Sequence, residues 1–211
     1  LHEEVDKIYL NESELVRMYN LQLANNKRLE RVRDLFLIGC YTALRFSDYV
    51  NIQTDNLYTN DSGDFLKINT QKNSHTVVIP KHWIVREILG KYNNVLPENI
   101  SNQKMNDYLK EIGEMAEIKE LVGISKLKGG LRTTVTLPKY KLISTHTARR
   151  SGATNMFLAG IPAISIMKIT GHRTERAFMR YIQMTNEDNA NKLQEHPFFK
   201  DNRQAALKVV S

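Results

Sequence analysis

The sequence predicts a mainly α-helical domain with one small three-stranded antiparallel sheet, an α+β fold. Three observations predict it. Apolar residues recur at three- and four-residue spacing through most of the chain, the mark of helices with one buried face. That period fails at length only before Pro80, where "NDSGD" and "KNS" punctuate three short runs, as turns punctuate strands. The 211 residues are 41% hydrophobic, which suits one packed domain rather than a disordered chain.

The elements follow in order. Asn11 can cap a helix, with Glu14 completing a capping-box pair and Leu15, Met18, Tyr19 and Leu23 at helical spacing. A second helix is expected from Leu29 to about Tyr41, with Val32, Leu35, Phe36 and Cys40 inward. A short helix follows Arg45, with Ser47 as its cap. Three strands come next, ended by Pro80. Helices resume in "KHWIVREILGKY" and in "SNQKMNDYLKEIGEMAEI", the latter capped by Ser101. "GGLRTTVTLPKYKLIS" is expected to be a loop or ragged hairpin. "THTARRSGATNMFLAG" is a helix ended by Gly160. Pro162 opens the next helix, Gly171 ends it, and Thr174 starts another that carries Tyr181. One more helix is expected from Glu187.

Charge narrows the function. The net charge is +7, which permits a polyanionic partner. No Asp or Glu occurs in the 54 residues from 121 to 174, where a proportional share would be about six. Lys126, Lys128, Arg132, Lys139, Lys141, Arg149, Arg150, Lys168 and Arg173 lie in that stretch. A surface that excludes carboxylates suits a phosphate backbone. Cys40 is the only cysteine, so no intramolecular disulfide forms, and a reducing cytoplasm is expected. The greasiest run, "LFLIGCYTAL", is far short of the ~20 residues that span a bilayer. No membrane association is expected.

Taken singly, the reactive residues are ordinary. His146 and Arg149 are three apart and share a helix face; such pairs are usually surface contacts. Arg45 can pair with Asp48, and a turn lysine such as Lys72 is usually solubilising. His172 follows Gly171, and Tyr181 has Ala177 and Phe178 as helical neighbours, the usual spacing of a core aromatic.

Together they form a pattern. "TALRFSDYVNI", "QKNSHTVVIP", "STHTARRSGATNMFLAGIP" and "ITGHRTERAFMRYI" closely resemble the catalytic domain of tyrosine recombinases of the phage-integrase type, most of all integrases of bacterial mobile elements such as conjugative transposons. The resemblance runs from about Tyr9 to about Phe199 and implies the tyrosine-recombinase catalytic-domain fold. Residues 1–10 are then an inter-domain linker remnant, 11–186 the catalytic domain, and 187–211 a C-terminal helix and tail. The family places a helical DNA-binding domain ahead of this one, and the resemblance leads us to expect it to be absent from this chain. Two departures stand out: Ala43 where the family commonly has Gly, expected to be harmless, and Thr170 where it commonly has Leu.

The resemblance implies a site-specific recombinase acting on double-stranded DNA, as a tetramer joined by exchange of C-terminal tails. Tyr181 attacks a backbone phosphate and forms a 3′-phosphotyrosyl link. His146 takes the tyrosine proton. Arg45 and Arg149 grip the non-bridging oxygens, His172 adds a hydrogen bond, and Lys72 protonates the leaving oxygen. Asp48 supports the site. Lys126, Lys128, Arg132, Lys139, Lys141, Arg150 and Arg173 are expected to contact DNA, Arg150 either the DNA backbone or a neighbouring side chain. Neither a metal nor any other cofactor is expected: there is no GxxxxGK[ST] loop and no zinc-type histidine spacing. A cytoplasmic, nucleoid-associated protein of a bacterium is expected. Two alternatives keep the same scaffold: DNA relaxation of the type IB topoisomerase kind, and a DNA-binding module without activity.

Overall fold

The computed structural model describes residues 8–71, 75–97, 100–128 and 131–199, with the side chains of 125–128, 131 and 132 outside the description. Its helices and strands follow the local signals closely. Helix α1 (Glu12–Tyr19) starts at Asn11, whose side chain accepts from the Glu14 N–H while Glu14 reaches back to the Asn11 N–H. Helix α2 (Lys27–Thr42) starts two residues before the expected Leu29, because Asn26 caps it through the Leu29 N–H. It runs through the middle of the core with Val32, Leu35, Phe36 and Ile38 fully buried.

Ala43 ends α2 in the left-handed region, at φ 52°. There a residue with a Cβ is strained by about 1–2 kcal/mol, which corrects the expectation that alanine is harmless here. Helix α3 (Phe46–Tyr49) is capped by the backbone of Arg45, whose carbonyl accepts from Asp48 and Tyr49. Ser47 lies inside the turn and is not the cap.

The three-stranded sheet pairs β1 (Leu57–Asn60), β2 (Gly63–Asn69) and β3 (Thr76–Pro80), antiparallel and in chain order. The register sets Leu66 opposite Ile79 and Ile68 opposite Val77. Period-two alternation sends these four inward. Helices α4 (Trp83–Lys91) and α5 (Asn102–Met115, capped by Ser101 as expected) complete the main core with α1 and α2.

The segment expected to be a loop or ragged hairpin is regular. Strands β4 (Leu121–Lys128) and β5 (Leu131–Pro138) pair over eight residues each. The run Thr133-Thr134-Val135-Thr136 favours strand, since β-branched side chains pack well on a pleated surface. Its partner "LVGISKLK" has no clean alternation in the sequence, which hid the pairing.

Helix α6 (Thr145–Leu158) follows, capped by Ser144 and Thr147, and is tied to α5 by Thr145 with Asn102 and Asn106. Helices α7 (Ala163–Thr170), α8 (Glu175–Tyr181) and α9 (Asn186–Glu195) complete the described chain. Ala153, Ile166, Met167, Phe178 and Ile182 from α6–α8 form a second, smaller core. Helix α6 belongs to both cores, so its polar residues lie along the seam between them. No helix among the described residues is long and apolar enough to cross a membrane.

Candidate active site

Arg149 sits at that seam, only 7% exposed. Nη1 donates to the Ala43 carbonyl at 3.1 Å, and Nη2 donates to the Thr170 carbonyl. These acceptors are the C-terminal ends of α2 and α7, both turned by left-handed residues, Ala43 and Gly171. Carbonyl ends of helices attract cations. The guanidinium is therefore fixed by backbone from two directions, and among the described residues no carboxylate forms an ion pair with it, although the charge of Asp48 reaches it.

His172 follows the Gly171 turn. Its Nδ1 lies 2.8 Å from the Thr170 hydroxyl, which also donates to the Ile166 carbonyl at 3.0 Å. Thr170 thus orients the imidazole, a role that leucine cannot perform; the sequence shows the departure but not its purpose. The rings of His172 and Tyr181 are 4.8 Å apart, and Phe178 closes on the other edge at 5.6 Å. Tyr181 is the last residue of α8, seated against the smaller core. Gln183 secures the chain beyond it through the Thr154 hydroxyl. Tyr181 is docked, not swung out.

The electrostatics are those of a cationic pocket. Burial raises the Tyr181 hydroxyl above its usual value, and the charges of Arg149, Arg150 and Arg45 oppose that rise. Burial lowers His146, with Arg150 and Arg149 adding to the effect. Burial likewise lowers His172, helped by Arg149 and Arg45. Both histidines therefore favour the neutral form, which can accept a proton.

Arg45 faces a cleft of about 400 Å³ whose lining also includes Thr70, His75, His172 and Arg173. Asp48, 4% exposed, forms no ion pair with Arg45 among the described residues. Its Oδ1 accepts from the backbone N–H of Gln71 at 3.0 Å. It thereby anchors the residue before Lys72. Lys72 itself lies outside the described residues. His75, on the far side of it, closes the segment through Thr70, which donates to the His75 carbonyl at 3.0 Å. His75 was not singled out in the sequence, and only its closeness to Lys72 could have drawn attention to it.

Two expected DNA contacts are corrected. Lys139 is buried, with Nζ 2.8 Å from Glu14 and 3.4 Å from Glu120. The stretch without acids is not isolated from acids in space, and this lysine is neutralised by partners from elsewhere in the chain. Arg150 is 9% exposed and donates to the Ile8 carbonyl at 2.7 Å. Its guanidinium stands 5.9 Å over the Tyr181 ring, so it faces the protein and not solvent. Lys141 and Arg173 are exposed. Lys126, Lys128 and Arg132 have their backbones in the β4–β5 hairpin, and their side chains lie outside the description. Among the described residues no three His, Cys, Asp or Glu side chains are grouped to hold a metal ion.

The model of the phage integrase family matches residues 9–188. The chain belongs to the phage integrase family. No curated protein sequence matches it. XerA recombinase superposes with a TM-score of 0.64 at 16% identity, over 93% of this chain and 66% of that one. The catalytic domain of bacteriophage HP1 integrase gives 0.56 at 18% identity, over 92% of this chain and 98% of that domain. The Tn1549 transposon integrase, solved with a circular intermediate DNA, gives 0.56 at 14% identity, over 90% and 66%. The fold is that of a tyrosine-recombinase catalytic domain. The chain spans about half of XerH (53%) and about two thirds of XerA.

Proposed function

We propose that this chain is the catalytic domain of a site-specific DNA recombinase of a mobile element, acting through Tyr181. The observation that carries the proposal is the convergence of Arg45, Arg149 and His172 on a docked Tyr181, beside a cleft that Arg45 and His172 line and that has no carboxylate among its described lining residues. A cleft of that kind suits a phosphodiester. Relatives of the same fold were solved on DNA: XerH on a difH substrate and Tn1549 integrase on circular intermediate DNA.

In the proposed step the Tyr181 oxygen bonds to phosphorus and the bond from phosphorus to the 5′ oxygen breaks. A tyrosine ordinarily has a pKa of ~10 and burial raises Tyr181 further, so it needs a base, and His146, held neutral, receives that proton. Arg149 and Arg45 stabilise charge on the non-bridging oxygens, a contact of the kind that changes rates by ~10²–10³. Once the charge of the bound phosphate has protonated it, His172 donates to the same phosphate through Nε2 while Nδ1 stays on Thr170, and Lys72 supplies the proton to the departing 5′ oxygen. Asp48 holds the backbone beside Lys72. The phosphotyrosyl bond conserves the energy of the broken ester, so a 5′ hydroxyl can reverse the step.

Residues 1–10 act as the approach to the catalytic domain, and 187–211 as an exchanged tail in a DNA-bound tetramer. Leu193, Phe198 and Phe199 are exposed at 43%, 81% and 57%. An adjoining groove of about 1350 Å³, lined by Tyr41, Val78, Ile79, Met156, Ile161 and Ile169 among others, offers apolar surface of the kind such residues bury. None of Arg45, Arg149, His172 and Tyr181 lines it, so we assign it to docking and not to chemistry.

The test uses a duplex selected by binding from a random-sequence pool, rebuilt with a 5′-bridging phosphorothiolate at successive positions. Wild-type protein is expected to accumulate a covalent protein–DNA adduct, and Tyr181→Phe to bind without forming one. An adduct formed by Tyr181→Phe would refute the nucleophile.

A further inference from the structure

Arg150 is an unusual buried cation. No carboxylate pairs with it among the described residues; its one hydrogen bond is to the Ile8 carbonyl, and its Nε has no partner. Burying a guanidinium against a neutral carbonyl and a ring is unfavourable for stability. What it touches is the Tyr181 ring, where a cation over the face of an aromatic is attracted by its π system.

The segment it holds, Ile8–Leu10, is tied down along its length. The Leu10 N–H donates to the Ser151 hydroxyl at 2.8 Å, and Asn155 donates to the Leu10 carbonyl at 3.0 Å. The Tyr9 hydroxyl donates to Asp188 at 2.9 Å, on α9, the helix after Tyr181. These three residues therefore grip α6 before the nucleophile in sequence and α9 after it.

We infer that Arg150 is a positioning residue that ties the strap Ile8–Leu10 to the docked Tyr181. The inference rests on the proposal that Tyr181 is the nucleophile. Arg150 does not reach for DNA. Its guanidinium stands 5.9 Å over the aromatic ring, and the His172 ring lies 4.8 Å from the same ring. A displacement of the strap moves the Ile8 carbonyl and with it the guanidinium, so the entrance of the chain into the domain is mechanically coupled to the docking of Tyr181.

The charge has a second consequence. The groups facing Tyr181 are Arg45 at the start of α3, Arg149 and Arg150 on α6, and His172 between α7 and α8. Arg150 opposes the rise of the Tyr181 hydroxyl and lowers His146. Removing its charge moves both groups upward, and the acid limb of a pH–rate profile, set by His146 as the base, moves to higher pH.

The experiment measures adduct formation on the phosphorothiolate duplex at saturating DNA, with the full chain. Arg150→Met is expected to bind that duplex like wild type and to form adduct about 10²-fold more slowly, the effect of an ångström-scale misplacement, with the acid limb of the profile moved to higher pH. Arg150→Lys keeps the charge and is expected to restore the profile and most of the rate. Weakened DNA binding with an unchanged saturating rate would make Arg150 a DNA contact and overturn the inference. A lowered melting temperature with unchanged rate and profile would make it a core residue only, as would a lysine variant no better than methionine. If wild type forms no adduct, the nucleophile assignment falls and takes this inference with it; adduct in wild type with an unaffected Arg150→Met removes the inference alone. Should Arg150→Met not fold, Tyr9→Phe tests the strap from its other side. Slower adduct formation and faster proteolysis after Tyr181 are expected, and wild-type behaviour in both overturns the idea.

Discussion

Replacing Gly152 by alanine is expected to lower both stability and strand cleavage, although alanine is the better helix former. Gly152 lies in the middle of α6 where it crosses the end of α2. A Cβ added there would lie 3.0 Å from the Cβ of Ala43 and 3.1 Å from its Cα, and closer still to the Cys40 carbonyl oxygen. That oxygen is backbone in the last turn of a buried helix, so no side chain can rotate to make room. Overpacking of this kind costs about 1–3 kcal/mol, against a gain of about 1 kcal/mol in helix propensity. Because the closest atom is backbone, the cost lies at the upper end of that range, and a net loss of about 2 kcal/mol corresponds to a fall of roughly 4–8 °C in Tm for a domain of this size.

The displaced backbone is also the anchor of Arg149, which donates to the Ala43 carbonyl. Pushing α2 away from α6 moves that carbonyl relative to the Thr170 carbonyl that holds the other nitrogen. Cleavage is expected to slow by about tenfold or more even at a temperature where the variant is fully folded, since sub-ångström placement matters in such sites. The assay is thermal unfolding beside single-turnover adduct formation. Wild-type Tm and wild-type cleavage in Gly152→Ala would refute the reasoning, because the contact geometry leaves no harmless place for the methyl group.

Three further outcomes are expected. Ala43→Gly should stabilise the protein by about 1 kcal/mol by relieving the left-handed strain, and should recover part of the Gly152→Ala loss because it removes one of the clashing atoms; denaturant unfolding checks both, and a destabilised Ala43→Gly would show that the left-handed turn is not strained. Burial holds His82, His146 and His172 below the usual histidine value, so the unfolded chain takes up protons first as pH falls. Stability present above ~6.5 is then lost below it; Tm should drop between about pH 7.5 and about pH 5.5, His172→Asn should flatten the drop, and a flat wild-type profile would contradict it. Truncation after Asn189 should leave Asp188 and its bond to Tyr9 in place but abolish assembly on DNA; unchanged assembly and cleavage would end the tail-exchange proposal.

Capping residues announced the helix ends well, because a cap depends on residues three or four positions away. Asn11 with Glu14, Ser101, Thr174 and the left-handed Gly171 all act as the sequence implied. The polar set of the site was legible for a different reason: Arg45, His146, Arg149, His172 and Tyr181 form a pattern of residue types and spacings that resembles a known family.

Contacts across the fold were not legible. Lys139 and Lys141 are two residues apart in the same basic stretch, yet one is buried and neutralised by Glu14, 125 residues away, while the other is exposed. Arg149 and Arg150 are adjacent, yet one is gripped by two helix C-termini and the other bonds the Ile8 carbonyl and stands over the Tyr181 ring. The sequence determined which segments are helices, where they stop, and which side chains could serve a phosphate. Tertiary structure alone decided which cations remain available, what Asp48 and Thr170 hold, and that Tyr181 is docked. The physical reason is range: caps and periodicity act within a turn or two of chain, whereas ion pairing, burial and strain depend on atoms that only the packed fold brings together.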